Sequence, residues 1–87
     1  MSQGNVKSFE LEAYKKRLSG FAAQPEVSDG DFADAVYTAI SRFGVDETAF
    51  RDTFSLSKGA VERWTMQKNL PQPGVRPKIL GWILQKI

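Results

Sequence analysis

Apolar residues recur along this chain at intervals of three and four, the spacing of one face of an α-helix. Five segments show this spacing, and no segment is readily assigned to a strand. The residues predicted to face the core are Leu11, Tyr14, Leu18, Phe21 and Ala22, then Phe32, Val36, Ala39, Ile40 and Phe43, then Phe50 and Phe54, then Val61 and Trp64, and finally Ile79, Leu80, Ile83, Leu84 and Ile87. The pattern predicts an all-α protein, a compact bundle of about five short helices.

Residues that favour caps, loops and tails divide the chain between these helices. A disordered tail is predicted over residues 1–7, and Ser8 is predicted to cap the first helix. Residues 23–31 contain Pro, Gly and Asp, which predict a loop. Pro77 suits the first turn of the last helix. Residues 8–87 are therefore predicted to form one helical domain.

A very short connection is predicted between the third and fourth helices. The second helix is predicted to begin near Asp29 to Asp31, with Gly44 as its left-handed stop, and Asp46 is predicted to cap the third helix. Residues 55–57 leave room only for a tight turn before a fourth helix over residues 57–68, which Ser57 would cap. So tight a turn, with inward-facing residues on both sides, favours a steep crossing of the two helices.

Composition argues against catalysis. The 87 residues are enough for a single core, and they include no Cys and no His. The commonest metal ligands, the commonest general base and the thiolate nucleophile are therefore missing. The sequence predicts no enzyme, no metal site and no cofactor. It also has no apolar stretch near the roughly 20 residues of a membrane span and no signal-peptide core, so a cytoplasmic chain with no membrane contact is expected.

Charge is distributed unevenly along the chain. Residues 1–57 contain six basic and nine acidic side chains, which is a net charge of −3. Residues 58–87 contain six basic side chains against Glu62 alone, which is a net charge of +5, and the whole chain carries +2. A local excess of cations indicates either a surface that faces a polyanion or a solvated basic face.

The segment 46–64 resembles the helix-turn-helix of the Cro/cI-type, lambda-repressor-like family of DNA-binding proteins. Its apolar residues fall at the core positions of that motif, and they are Phe50, Phe54, Leu56, Val61 and Trp64. The following residues (MQKNLPQPGVRPKILGWI) are similar to the usual continuation of the family, and the resemblance covers about residues 31 to 84. The sequence departs from the family at Glu47, Arg51 and Ser55, where Gln, Ala and Gly are usual.

The resemblance implies that the fourth helix enters the major groove of double-stranded DNA. It assigns base contacts to Lys58, Gly59, Glu62 and Arg63. An arginine such as Arg63 makes a bidentate pair with a guanine edge, whereas Glu62 would accept from a cytosine amino group, orient Arg63 or lie solvated. Charge and reach indicate the contacts to the DNA backbone, which are Ser57, Gln67, Lys68, Arg76 and Lys78. For Gly59, close approach to DNA and mere tolerance of the first turn remain alternatives.

Two functions follow as alternatives. The first is a sequence-specific transcriptional regulator, repressor-like and of bacterial or phage type, that binds double-stranded DNA as a homodimer in the nucleoid. The extra N-terminal helix and the C-terminal helix, with Trp82 off its main apolar stripe, are the expected dimer surfaces. The second is a protein–protein interaction module that keeps the helix-turn-helix shape without binding DNA. The first function requires Lys58 and Arg63 to stand away from the body of the protein.

Overall fold

The helical periodicity of the sequence is realised as five helices in a computed structural model, which describes the backbone of residues 2–87 and the side chains of residues 8–87. The helices are α1 (Ser2–Ala22), α2 (Asp29–Ser41), α3 (Glu47–Phe54), α4 (Ala60–Thr65) and α5 (Arg76–Lys86). No strand occurs over residues 2–87. The radius of gyration is 12.9 Å, close to the roughly 12 Å of a compact domain of this length. The predicted all-α bundle is confirmed.

Most helix ends lie where local residue chemistry predicts them. Ser28 caps α2 by accepting a hydrogen bond from the backbone N–H of Asp31. Asp46 caps α3 in the same way, with 3.0 Å between its Oδ1 and the N–H of Thr48. Gly44 takes the left-handed conformation, with φ at 71°. These short-range signals are therefore sufficient to fix the segment that connects α2 with α3.

The first helix begins earlier than the sequence predicts. It runs from Ser2, so Ser8 lies within the helix and does not cap it, which corrects that prediction. The disordered tail predicted over residues 1–7 is corrected for residues 2–7, whose backbone belongs to α1, and Met1 lies outside the described residues. The last helix begins one residue before Pro77, which occupies the first turn as expected.

A single apolar core joins all five helices, because α1 packs along α5 while α2 packs on α4 and α5. Its fully buried large side chains are Leu18, Val27, Phe32, Val36, Phe50, Val61, Ile79, Leu80 and Ile83. Trp64 is 4% exposed and packs edge-on against Phe32, with 5.3 Å between the ring centroids. The inward orientation predicted for Trp64 is confirmed.

Trp82 belongs to this core rather than to a partner surface. Its ring lies edge-on against Phe50 at 4.8 Å and against Phe54 at 5.4 Å between centroids. Trp82 therefore joins α5 to α3. The suggestion that it serves a partner is corrected, because its aromatic partners come from a helix about 30 residues earlier in the chain and are not visible in the pattern of α5 itself.

Candidate nucleic-acid interface

The connection between α3 and α4 is longer and more strained than the sequence predicts. Five residues, 55–59, separate the two helices. Ser55 ends α3 in the left-handed conformation, with φ 56° and ψ 48°, and its N–H donates to the carbonyl of Arg51. Glycine is the residue that adopts this conformation most readily, and here a serine adopts it.

α4 begins at Ala60 and not at Ser57. Gly59 is its N-cap residue, with φ 84°, and no side chain caps the helix. The predicted cap by Ser57 and the predicted helix over residues 57–68 are both corrected, because the left-handed backbone at Gly59 stops the helix from starting earlier. Gly59 accordingly lies outside the helix, at a φ that glycine adopts without steric cost.

Left-handed residues lie on both sides of α4. Ser55 and Gly59 precede it, and Gln67 (φ 59°) and Asn69 (φ 50°) follow it. In the described part of the chain, every non-glycine residue with positive φ lies in this stretch. Each such residue stores a modest amount of strain, and strained residues cluster at functional sites. The backbone thus marks α4 and its flanks as the unusual region of an otherwise regular bundle.

α4 itself is held firmly by its inner face. Val61 is 1% exposed and Trp64 is 4% exposed, and both lie in the core. The backbone N–H of Lys68 donates to the carbonyl of Arg63, with 2.7 Å between N and O, and so closes the C-terminal end of the helix. Only six residues long, α4 depends on this burial rather than on its intrinsic helix propensity.

Arg63 folds back over the turn that precedes α4. It is partly buried, and its Nη2 lies 3.5 Å from the Oγ of Ser57. A Cβ added to Gly59 would lie 3.2 Å from Nη1 of Arg63. The Nε of Arg63 is buried and has no hydrogen-bond partner. Three residues predicted to contact DNA, namely Ser57, Gly59 and Arg63, are therefore in contact with one another.

The other predicted contact residues differ in exposure and surroundings. Lys58, Gln67, Lys68 and Lys78 are exposed. None of the three lysines has a carboxylate within 4 Å in the part of the chain whose side chains are described. No hydrogen bond there links Lys58 or Lys78 to the group around Arg63. Of the two residues that the regulator interpretation required to be free, Lys58 is fully so and Arg63 only in part.

Glu62 lies on the opposite flank of α4 from Arg63. It lines a groove between α2, the start of α3 and α4, together with Tyr37, Ile40 and Glu47. Arg63 instead lines an open cleft with Ser55, Ser57 and Asn69. The two flanks of α4 therefore differ in charge, one carrying carboxylates and the other a guanidinium. No hydrogen bond or ion pair joins the side chains of Glu62 and Arg63, so no such bond supports the suggestion that Glu62 orients Arg63.

Arg76 is not a free cation, and its assignment to the DNA backbone is corrected. Its side chain is 5% exposed. Its Nη1 donates to the carbonyl of Val27 and to Oδ1 of Asp29, both at 2.7 Å, and its Nε donates to the carbonyl of Pro71 at 2.9 Å. The guanidinium also lies 5.8 Å from the ring centroid of Phe32. It ties the loop before α2 to the loop before α5, and its burial withdraws the side chain from the surface that a phosphate would meet.

The sequence did not predict that two further residues line the cleft beside α4, or that an arginine of α3 has a buried Nε. Ser55 and Asn69 line the cleft from opposite ends of α4. Arg51, on α3, has a buried Nε without a partner, as Arg63 has. An Asn near the end of a predicted helix is the one signal that points to a left-handed residue in advance. No comparable signal marks the burial of Arg51.

Comparison of the chain with protein-family models, curated proteins and solved structures gave no match. None of the helices over the described residues is long and apolar enough to cross a membrane. The chemistry of α4 and its flanks therefore has to carry the functional argument.

Proposed function

We propose that this protein is a sequence-specific regulator of transcription that binds double-stranded DNA through α4 and the turn before it. The proposal extends to a repressor-like homodimer on its operator. The observation that carries it is that Lys58 and Lys68, which flank α4, and Lys78, on α5, are exposed and have no carboxylate partner among the described side chains.

The arginines of α1 and of the end of α2 differ from these lysines, because each of them has a carboxylate partner. Arg17 pairs with Asp34 at 2.7 Å, and Arg42 pairs with Glu10 at 2.5 Å. Those cations are neutralised within the protein, although Lys15 and Lys16 of α1 are not ion-paired. Cations that the fold leaves unneutralised release counterions when they meet a polyanion, and this release drives binding to DNA.

Within this proposal the residues divide by the kind of contact that they make. Lys58 and the part of Arg63 that stays exposed meet base edges, since an arginine reads guanine through two parallel hydrogen bonds. Ser57, Gln67, Lys68 and Lys78 meet phosphates, where charge and reach matter more than exact direction. The left-handed residues around α4 support the same location, because strained backbone clusters at functional sites.

A dimer would give the specificity that one short helix lacks. Two-fold symmetric proteins of this kind read half-sites separated by about one turn of DNA, roughly 34–36 Å. The exposed half of α1 offers one dimer surface, since Phe9 is 79% exposed there. The end of α5 offers another, where Ile87 lines a shallow depression with Leu11 and Phe43.

A titration against duplex DNA tests the proposal directly. Fluorescence anisotropy of a labelled mixed-sequence duplex is followed at two salt concentrations, and a site selected from a random duplex pool is then compared with the mixed sequence. We expect binding that weakens steeply with salt and a selected site that is palindromic. Absence of binding at low salt would rule out the proposal.

The groove on the other flank of α4 favours a second candidate, a protein–protein interaction module that does not use DNA. Glu47 and Glu62 line this groove beside Tyr37, which is 59% exposed. Carboxylates next to an exposed aromatic ring suit a partner segment that carries cations and an apolar side chain. Replacing Glu62 by Gln separates the two candidates. DNA affinity rises or stays unchanged if α4 faces phosphates, whereas binding of such a partner weakens.

A further inference from the structure

We propose that Gly59 and Ser57 are positioning residues that seat the guanidinium of Arg63, so that only its Nη1–Nη2 edge is presented to a base. The inference rests on the proposed function, and it names the residues that make base recognition by Arg63 specific. It begins from the three residues that the fold brings into contact at the start of α4.

The seat is the space beside Gly59 and Ser57 in which the guanidinium of Arg63 lies, and the backbone of Gly59 bounds it on one side. The backbone of Gly59 is left-handed, with φ 84°, and its missing Cβ leaves the space in which Nη1 of Arg63 lies. A Cβ there would approach Nη1 to 3.2 Å, closer than nearly all ordinary contacts of a Cβ atom. By contrast, Gly44 is left-handed with φ 71°, and a Cβ there would meet nothing within 4 Å. A side chain at Gly59 would therefore push the guanidinium aside by a few tenths of an ångström, in addition to being unfavourable at this φ.

Ser57 lies beside Nη2 of Arg63, and the body of the protein covers its Nε. The Oγ of Ser57 lies 3.5 Å from Nη2, and the Nε of Arg63 is buried without a partner. With Nε shielded, the guanidinium cannot offer its Nε–Nη2 side to a ligand. The terminal edge of two parallel N–H donors remains, and it matches the two acceptors of guanine in the major groove.

Seating the side chain also lowers the entropy lost on binding. A free arginine carries considerable rotamer freedom, and a guanidinium that is held before DNA arrives loses less of it. The gain applies only to the correct base, because a fixed edge cannot adjust to a wrong one. We therefore expect the seat to act on the ratio of affinities for the selected site and for mixed-sequence DNA, rather than on both affinities alike.

The test uses Gly59→Asn, which keeps a residue tolerant of positive φ but adds a Cβ, and Ser57→Ala, which removes the Oγ. Each is expected to lower the ratio of affinities by about two- to tenfold. Gly44→Asn is the matched control, since it adds the same side chain at a similar φ in open space. It should leave the ratio unchanged. Circular dichroism and the thermal midpoint verify that each variant is folded.

A double-mutant cycle with Arg63→Ala shows whether the effect passes through Arg63. In that background Gly59→Asn should have no further effect on the ratio. A continued loss would mean that the new side chain strikes DNA directly, and it would overturn the inference. A ratio that rises in Gly59→Asn would also overturn it, because the seat would then hold Arg63 away from DNA.

Nuclear magnetic resonance of the free protein tests the seat without DNA. The buried Nε–H of Arg63 should exchange slowly with solvent, and Gly59→Asn should abolish that protection. A fast-exchanging Nε–H in the unmodified protein would overturn the seat. The failures are distinguishable, because an unmodified protein that binds no duplex refutes the proposed function, whereas binding with unchanged ratios in both variants refutes only the seat.

Discussion

Two regions of this protein each contain an arginine that the sequence assigns to DNA, and they use it in opposite ways. At the start of α5, Arg76 is 5% exposed and its Nε and Nη1 donate to three acceptors. Beside α4, Arg63 is only partly buried, its Nε has no partner, and its nearest side-chain acceptor lies at 3.5 Å. The comparison shows that the acceptors around an arginine, and not its place in a basic segment, decide whether it stabilises the fold or remains for a ligand.

The largest effect is expected when Arg76, which joins the loop before α2 to the loop before α5, is removed. Arg76→Ala would leave the carbonyls of Val27 and Pro71 without their donor, and we expect a loss of about 3 kcal/mol in the free energy of unfolding. Urea denaturation followed by circular dichroism measures it. Asp29 contributes little, because its side chain is 65% exposed, so Asp29→Asn is the control and should cost at most about 1 kcal/mol. An Arg76→Ala protein of unchanged stability but weaker DNA binding would contradict the structural role.

The next effect concerns Arg63 and should appear in binding rather than in stability. Arg63→Ala should remove about 1–3 kcal/mol of discrimination between the selected site and mixed-sequence DNA. Arg63→Lys keeps the charge but loses the planar pair of donors, so it should retain most of the non-specific affinity and little of the discrimination. Anisotropy titrations of both duplexes measure these changes. Equal losses on both duplexes would show that Arg63 contacts the DNA backbone instead of a base.

A smaller effect is expected at Lys68, whose contact is with phosphate. Lys68→Ala should weaken binding to all duplexes alike and should reduce the slope of log affinity against log salt by about one. Lys16→Ala removes the same charge from the exposed face of α1 and should leave both quantities unchanged. If the two lysine variants behave alike, the protein attracts DNA by its overall charge, and the assignment of Lys68 to the interface is wrong.

The contrast between Arg63 and Arg76 also explains what the sequence can predict. The cap by Asp46 and the left-handed conformation of Gly44 depend on residues within a few positions, and both are confirmed, although α2 itself ends at Ser41, before Gly44. The partners of Arg76 at Val27 and Asp29 lie 49 and 47 residues away, so no local pattern announces them. The burial of Arg76 can therefore be recognised only in the folded structure, in which the loops before α2 and α5 lie together.

The same reasoning applies to the candidate site. The apolar spacing correctly predicts that Val61 and Trp64 face inward, because periodicity reports directly which side of a helix is buried. It does not report where a short helix begins. Ser57 is a good cap by residue type, yet the left-handed backbone at Gly59 moves the start of α4 to Ala60. Backbone conformation between two helices depends on how they pack, which a single sequence does not reveal.

The smallest effect is expected from replacing a serine by glycine. It compares Ser55, whose backbone is left-handed, with Ser19 in the regular helix α1, and so tests whether the backbone beside α4 is strained. Ser55 has φ 56°, and a left-handed non-glycine residue costs about 1–2 kcal/mol. Ser55→Gly removes this cost but makes the unfolded chain more flexible, so we expect a net gain of about 0.5 kcal/mol in unfolding free energy. Ser19→Gly, on the exposed face of α1, should instead lose about 0.5–1 kcal/mol, because glycine is unfavourable within a helix. Opposite signs in paired urea titrations would establish the strain at Ser55. A loss in both variants would mean that the turn between α3 and α4 is relaxed, and the case for α4 would then rest on its lysines alone.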